Sequence, residues 1–311
     1  MDRALNDRPG IKKETKERIL QAAKELGYRP NHMASCLARG SSKTIGVVCA
    51  GLGNPFFSSF VEAIERIAYE NGYYLNLILT HGSPEKEMEG INYLAGRQVD
   101  GLIMIPLGQG EAYEQALLQF HIPIVTVYNR ISEKFTHVDV DGRLIMRDAV
   151  HRMAEKGYRR IMYLDLGYEK SLAANKNRYS LNQRRFGYLD GMQQERLGEP
   201  VIRMDYEWEP IEQFISKGEG KPAILCPFDA VAIHVLNLMT QHGISVPAQV
   251  GIMGFDNISI LDSISPRIAS VDCEIKNLGN KAFSALLQMI HGDKTVRDYV
   301  TAYTFVEGES L

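Results

Sequence analysis

The stretch Thr-Ile-Gly-Val-Val-Cys-Ala-Gly-Leu-Gly-Asn-Pro-Phe-Phe, residues 44–57, joins a continuous apolar run to a polar turn and the start of an amphipathic segment. Further apolar runs follow at residues 74–80, 101–106, 123–128, 160–165, 223–227 and 250–255. Strands that are apolar throughout, and that are each followed by roughly 10 to 18 residues of helical period, are typical of parallel sheets covered on both faces. The sequence therefore predicts a doubly wound α/β fold.

The chain is long enough for more than one lobe. At 311 residues and about ten predicted strands, it has too many strands for one small sheet of this kind. We expect crossings between two lobes near residues 141–146 and again after Asp262. The expected division is a helical segment of residues 1–43, a first lobe of residues 44–141 plus 266–295, and a second lobe of residues 142–265 plus 296–311. Two lobes imply a cleft.

Residues 1–43 carry a positive charge that the rest of the chain does not share. They contain ten Lys or Arg against five Asp or Glu, which leaves 25 basic and 33 acidic residues in the remainder. A basic arm on an acidic body is the pattern expected where one end of a molecule contacts phosphates, although a solvated helix gives the same pattern. Within this arm we expect a helix over residues 14–26, ended by Gly27, and a short helix over residues 32–39.

Several function classes leave no signature in the sequence. The turn at residues 51–57 lacks GxGxxG spacing, and no GxxxxGK[ST], HExxH or GxSxG motif occurs. The eight His and four Cys lack metal-ligand or CxxC spacing, so we expect no cofactor, metal or disulfide framework. No apolar run approaches the roughly 20 residues of a membrane span, and no signal peptide is found. We expect a cytoplasmic protein that is not an enzyme.

Short motifs follow one another in a characteristic order along nearly the whole chain. They are Arg3-Ala4-Leu5-Asn6, Pro9-Gly10-Ile11, Leu26-Gly27-Tyr28-Arg29-Pro30-Asn31, Asn54-Pro55-Phe56-Phe57, Val99-Asp100-Gly101-Leu102-Ile103, Gly243-Ile244-Ser245-Val246-Pro247 and Gly254-Phe255-Asp256-Asn257. In this order they resemble the lactose-repressor (LacI/GalR) family of bacterial transcriptional regulators. The resemblance implies a helix-turn-helix headpiece, a hinge helix, and a two-lobed body like the periplasmic sugar-binding proteins. Such a body dimerises and binds a small effector.

The first part of that headpiece has no counterpart in this sequence. In the family, Arg-x-Leu-Asn ends the recognition helix, and here the motif begins at Arg3, so roughly 20 residues are missing before Met1. Either the start is assigned at an internal Met, or the protein is a headless sugar-binding sensor that does not bind DNA. We favour the first explanation, because residues 12–39 keep a complete third helix and hinge.

The resemblance also implies which residues contact DNA. Leu37 stands where paired hinge helices of the family push a leucine into the minor groove, which unstacks a base step and bends the duplex. The alternative is an ordinary apolar residue on a short helix. The residues expected to contact operator DNA are Arg3, Asn6, Tyr28, Asn31, Ala34, Leu37, Ala38 and Arg39.

Residues that follow the predicted strands are candidates for effector binding, because open α/β sheets bind ligands at the carboxyl ends of their strands. Asn54 suits a helix cap, and the aromatic pair after it either packs on a sugar or joins the core. Arg184 stands three residues before Gly187, the spacing of the family's effector-contacting arginine. Asp256 either binds a hydroxyl or caps the next helix. The expected set is Asn54, Phe56, Phe57, Asn129, Arg130, Arg184, Phe228, Asp229 and Asp256.

The expected set also indicates the chemistry of the effector. Arg130 and Arg184 balance Asp229 and Asp256 in charge, and Phe228, where the family usually has Asn, adds an apolar wall. This set favours an uncharged, polyhydroxylated ring over a sugar acid or phosphate. We therefore expect a transcriptional regulator, in this family most often a repressor, of carbohydrate genes. Its expected partners are operator DNA, a sugar-like effector, and a second copy of the chain that contacts residues 56–71 and 84–96.

Overall fold

The structure is a computed structural model that describes Ala4 and residues 9–27 and 40–311. The chain forms two compact units, divided after Lys43. In the first unit, helix α1 spans Lys13–Glu25 and ends where Gly27 adopts a left-handed φ of +61°, which confirms the helix expected there. The helix expected over residues 32–39 lies outside the described residues.

The first lobe of the second unit is built on a six-stranded sheet in which every pair of neighbouring strands is parallel. In sequence order its elements are β1 (Thr44–Cys49), α2 (Pro55–Glu70), β2 (Tyr74–Leu79), α3 (Pro84–Gly96), β3 (Leu102–Met104), α4 (Glu111–Leu118), β4 (Ile124–Val127) and β5 (Thr136–Val140). A later strand, β11, completes the spatial order β11-β5-β4-β3-β1-β2.

The second lobe repeats the pattern on a four-stranded parallel sheet with the order β7-β6-β8-β9. Asp141 caps its first helix by accepting the Leu144 N–H at 2.9 Å, at the predicted crossing. The elements are α5 (Gly142–Glu155), β6 (Tyr158–Leu164), α6 (Tyr168–Ala173), α7 (Tyr179–Gln194), β7 (Val201–Arg203), α8 (Trp208–Ser216), β8 (Lys221–Leu225), α9 (Asp229–Gln241) and β9 (Gly251–Met253), followed by a 3-10 turn at Ser259–Ser263.

The chain then crosses between the lobes twice more. The last elements are β10 (Ser270–Asp272), α10 (Ile275–Ile290), β11 (Asp298–Thr301) and β12 (Thr304–Val306). β10 continues alongside β9 and pairs antiparallel with β12, whereas α10 packs on α2 and β11 pairs with β5. The expected boundaries at residues 266–295 and 296–311 are therefore wrong in detail: residues 266–272 lie with the second lobe and β11 lies in the first.

All seven predicted apolar runs form strands, and most of these strands are buried on both sides, whereas the edge strand β2 is partly exposed. β3 and β4 are buried at every position, and a Cβ on Gly46 of β1 would lie 2.4 Å from a side-chain methyl of Leu102, so a larger residue there would displace this leucine. Within the described part of the chain, no helix is both long and apolar enough to cross a membrane.

Candidate functional site

The turn after β1 forms as its sequence predicts. The Asn54 side chain caps α2 by accepting the Phe56 N–H at 3.0 Å, and Pro55 occupies the first helical position. Asn54 therefore has a structural role at the carboxyl end of β1. Its neighbour Phe56 is buried, and its ring lies 5.2 Å from that of Phe57 and 5.2 Å from that of Tyr128. Phe57 is only partly buried, so this turn presents an aromatic edge next to the end of β4.

Arg184 on α7 is the cation that reaches from the second lobe towards that aromatic edge. Its guanidinium carbon lies 3.6 Å from the centre of the Phe255 ring and 5.5 Å from that of Tyr128, so it contacts both lobes. It also donates to the carbonyl of Pro227, in the loop after β8. The side chain is 94% buried, and although burial lowers its pKa, the nearby Asp256 carboxylate holds the pKa above its usual value.

Asp256 supplies the opposing charge at the carboxyl end of β9. Its backbone has a φ of +103°, a conformation that non-glycine residues rarely adopt and that is often found at functional sites. Burial raises the pKa of its carboxyl, the Arg184 guanidinium opposes the rise and the Asp229 carboxylate adds to it, with a resulting pKa of about 8. Its Oδ1 atom is buried without a hydrogen-bond partner, and so is the hydroxyl of Tyr128. Two unpaired polar atoms thus flank the buried Arg184 cation.

Asp229, also expected in the effector site, is fully buried, and its carboxylate is hydrogen-bonded to residues of its own lobe. Its carboxylate accepts the Ser270 hydroxyl at 2.6 Å and the Ile258 N–H at 2.9 Å, and burial raises its pKa to about 7. A Cβ on Gly254 would lie 2.1 Å from its Oδ1, so the glycine of the Gly-Phe-Asp-Asn motif makes room for this carboxylate. Asp229 thereby fixes the loop that carries Asp256.

Arg130 and Asn129 are bonded to other residues of this chain. Arg130 pairs with Asp298 of β11 at 2.7 Å, on the side of the sheet where the lobes cross. Asn129 donates to the carbonyl of Pro106 at 2.9 Å and accepts the Ser180 N–H at 3.2 Å, which engages both ends of its amide. Phe228, partly buried, precedes α9 next to the carbonyl that Arg184 binds. The expected balance of two Arg against two Asp therefore reduces to Arg184 and Asp256.

Two residues at this site were not anticipated from the sequence. Tyr128 directly follows β4, has a φ of +57°, and contacts both Phe56 and Arg184. An aromatic residue directly after an apolar run was the available signal. Asn177 lies in a polar stretch before α7 that resembles an ordinary loop, yet its side chain is buried and donates to two carbonyl groups of the first lobe.

The predicted DNA contacts cannot be placed against this site. Arg3, Asn6, Tyr28, Asn31, Ala34, Leu37, Ala38 and Arg39 lie outside the described residues. Among residues 9–27 and 40–311 together with Ala4, no group of three or more His, Cys, Asp or Glu side chains is arranged to hold a metal ion.

Comparison with known proteins agrees with this architecture. A family model described as a periplasmic binding protein-like domain matches residues 150–311, and one described as bacterial regulatory proteins, lacI family, matches residues 2–31. Catabolite control protein A of Priestia megaterium is 26% identical over 94% of this chain and 88% of its own length.

Solved structures agree on the fold. A periplasmic binding protein/LacI transcriptional regulator from Alkaliphilus metalliredigens, complexed with D-xylulofuranose, matches with a TM-score of 0.73 at 24% identity, over 86% of this chain and 98% of that one. A transcriptional regulator CelR–cellobiose complex matches with a TM-score of 0.73 at 21% identity, over 99% of this chain and 94% of that one.

The body consists of two lobes of parallel sheet that are joined by three crossings and face each other at the carboxyl ends of their strands. This architecture is that of a periplasmic-binding-protein-like body. A lacI-type segment precedes that body in the sequence. The chain belongs to the LacI family of bacterial regulatory proteins.

Proposed function

We propose that this protein is a DNA-binding transcriptional regulator, a repressor of carbohydrate genes, whose affinity for DNA changes when a small sugar-like effector binds between its lobes. The single observation that carries the proposal is the pair of unpartnered buried polar atoms, the Tyr128 hydroxyl and Asp256 Oδ1, on either side of Arg184. One atom belongs to each lobe. A ligand that bonds to both therefore favours one arrangement of the lobes over another.

The chemistry of these groups supports a neutral, hydroxylated ligand. Asp256 and Arg184 offer a carboxyl group beside a guanidinium donor, a combination that can both accept from and donate to the hydroxyl groups of a sugar. The ring of Phe56, next to Tyr128, offers an apolar face to the carbon side of a sugar. Two regulators of similar fold are named as complexes with D-xylulofuranose and cellobiose.

Calorimetry against neutral sugars, sugar acids and sugar phosphates tests the ligand class. Tyr128→Phe and Asp256→Asn should each lower affinity roughly tenfold, because each removes one hydrogen bond in a buried site. Tyr158→Phe is the matched control: Tyr158 also has a buried, unpartnered hydroxyl, but it begins β6, at the opposite end of the sheet. Tight binding of anionic ligands alone would refute the neutral-sugar proposal, and full affinity in both variants would refute the pocket.

The DNA-binding half of the proposal has its own test. Selection from a random DNA pool searches for an operator, and it is carried out with residues 1–311 and also with the protein extended by the codons in frame before Met1; the ligand found by calorimetry is then added. We expect the ligand to change DNA affinity at least severalfold, and Tyr128→Phe to reduce that change. A chain that binds the ligand but no DNA would support the alternative, a sugar-binding sensor.

We also propose that the body pairs as a homodimer, which a palindromic operator requires. β2 is an edge strand, and exposed tyrosines lie on it and on the helices beside it: Tyr69, Tyr74 and Tyr93. Edge strands with exposed aromatic neighbours are prone to pair with another chain. Sedimentation should show a dimer at micromolar concentration, weakened by Tyr74→Lys; monomer alone would contradict the proposal.

A further inference from the structure

One segment of the second lobe bonds extensively to the first lobe. This bridging segment, residues 175–180, lies between α6 and α7. Lys176 donates to the Gly82 carbonyl at 2.5 Å, and the Asn177 N–H donates to the Leu107 carbonyl at 2.7 Å. The Asn177 side-chain amide donates to the carbonyls of Gly108 at 3.3 Å and Arg130 at 2.9 Å.

Three further hydrogen bonds connect the same segment to the first lobe. Two of them join Asn129 to Asn177 and to Ser180, and the third joins Gln109 to Asn175.

The bridging segment is itself fixed to the second lobe. Arg178 forms an ion pair with Asp165 at the end of β6, and both side chains are at least 94% buried. The Arg178 guanidinium also lies 5.1 Å from the centre of the Tyr168 ring. Asn177 Oδ1 accepts the Tyr179 N–H at 3.0 Å, which holds the side chain in place. Because the segment is anchored at its own lobe, its bonds to the other lobe resist movement between the lobes.

The bridging contacts and the crossings between the lobes involve different strands of the first-lobe sheet. The crossings leave the first lobe after β5 and β11, which are the two neighbouring strands at one side of its sheet. The bridging segment contacts the loops after β2, β3 and β4, towards the opposite side. Phe56 follows β1 and Tyr128 follows β4, and Arg184 reaches Tyr128 from α7. The lobes are therefore connected covalently on one side and by hydrogen bonds on the other.

We propose that the bridging segment is a clasp that holds the lobes closed in the absence of any ligand, with Asn177 as its central positioning residue. Opening the cleft requires breaking this set of bonds, so the clasp sets the population of open molecules. If the proposed function holds, an effector can enter or leave only after the clasp opens, so the clasp slows both association and dissociation. The closure itself does not depend on what the site binds.

Distances between spin labels measure closure directly and without a ligand. One label is attached at Gln115→Cys on α4 of the first lobe and the other at Glu209→Cys on α8 of the second lobe, and both positions are exposed. The native Cys49, Cys226 and Cys273 are buried, so we expect them to react poorly with the label. Cys36 is replaced by Ser, and labelled chain is diluted with unlabelled chain so that only distances within one chain contribute. We expect one narrow distance for the unliganded protein and an added, longer population for Asn177→Ala. Asn237→Ala, an exposed asparagine of α9, is the matched control and should resemble the unsubstituted chain.

Hydrogen exchange gives a second, milder test that does not need labels. The Asn177 and Ser180 amides should be protected in the unliganded chain, and Lys176→Met should speed their exchange about tenfold while the amides of β6 keep their rates. A broad or long distance distribution without ligand, unprotected Asn177 and Ser180 amides, or unchanged behaviour of the folded Asn177→Ala variant would each overturn the clasp. None of these outcomes bears on whether Tyr128 and Asp256 bind a sugar, so failure of the clasp and failure of the proposed function are distinguishable.

Discussion

The guanidinium carbon of Arg184 lies 3.6 Å from the centre of the Phe255 ring, and the same group donates to the Pro227 carbonyl. A planar guanidinium can stack on a ring and donate in its own plane at the same time, whereas an ammonium group is compact and cannot do both. Arg184 therefore stabilises the packing of the second lobe through Phe255 and Pro227, and it also contacts Tyr128 of the first lobe.

Arg184→Lys should lower the free energy of unfolding by about 1–3 kcal/mol, because it keeps the charge and loses the stack in a buried site. Urea denaturation followed by circular dichroism measures the change. Arg143→Lys is the control: Arg143 is 54% exposed, lies 5.8 Å from the Phe186 ring, and should cost under about 0.5 kcal/mol. Equal stability of the Arg184→Lys variant and the unsubstituted protein would show that the stack contributes nothing.

Gly187→Ala should be far more damaging than its size indicates. A Cβ at Gly187 would lie 2.1 Å from the carbonyl oxygen of Arg143, so α5 and α7 could not keep their separation. We expect a loss of about 2–4 kcal/mol in the free energy of unfolding. Gly96→Ala, in α3, meets no atom within 4 Å and should be neutral or slightly stabilising. The same denaturation measurement separates them, and a small loss at Gly187 would mean that the two helices shift freely.

The main strands could be predicted because a strand buried on both faces is apolar throughout. β5 and β7 were not found, for different reasons. β5 is buried but polar: His137 Nδ1 lies 2.9 Å from the Thr126 hydroxyl, and Asp139 Oδ1 accepts the Val140 N–H. The partner of His137 lies on the neighbouring strand β4, and the sequence does not reveal that the two strands are adjacent. β7 has only three residues, too few for a periodic pattern.

The site was predictable only in part, for a related reason. The family resemblance indicated Arg184 and a strand end indicated Asp256, and the two lie near enough for the Asp256 carboxylate to raise the pKa of Arg184. The same rule also selected Asp229 and Arg130, whose partners are Ser270, 41 residues further on, and Asp298, 168 residues further on. A position after a strand predicts that a side chain reaches the cleft edge. It does not predict whether a distant residue has already bound it.

The stability of the body should depend on the charge of Asp256. Burial raises the pKa of this carboxyl to about 8, against about 3.9 in an unfolded chain. The folded state therefore binds the proton more tightly, so the stabilising contribution is complete below about pH 4 and is lost as pH rises to about 8. Asp256→Asn removes this titration, so the stability of the variant relative to the unsubstituted protein should rise between about pH 4 and pH 8.

Urea denaturation across that pH range provides the measurement. Asp262→Asn serves as the control, because the Asp262 side chain is 71% exposed and should change stability little with pH. A stability difference for Asp256→Asn that stays constant with pH would contradict the raised pKa.

The last prediction concerns Glu87, a fully buried carboxylate of α3 that holds the loop after β3. It accepts the Leu107 N–H at 2.8 Å, the Gly108 N–H at 3.1 Å and the Tyr113 hydroxyl at 2.5 Å. Burial raises the pKa of Glu87, and these three donors oppose the rise by favouring the ionised form. Glu87→Gln places an amide donor against a set of donors, so we expect a loss of about 1–3 kcal/mol in stability.

The same substitution should also loosen the clasp, because the carbonyls of Leu107 and Gly108 accept from Asn177. Hydrogen exchange at the Asn177 amide should then accelerate together with exchange at Leu107 and Gly108. Glu89→Gln, an exposed position on the same helix, should leave both stability and exchange unchanged. If Glu87→Gln lowered stability while the Asn177 amide kept its protection, the loop after β3 would not be the rigid support that the clasp requires.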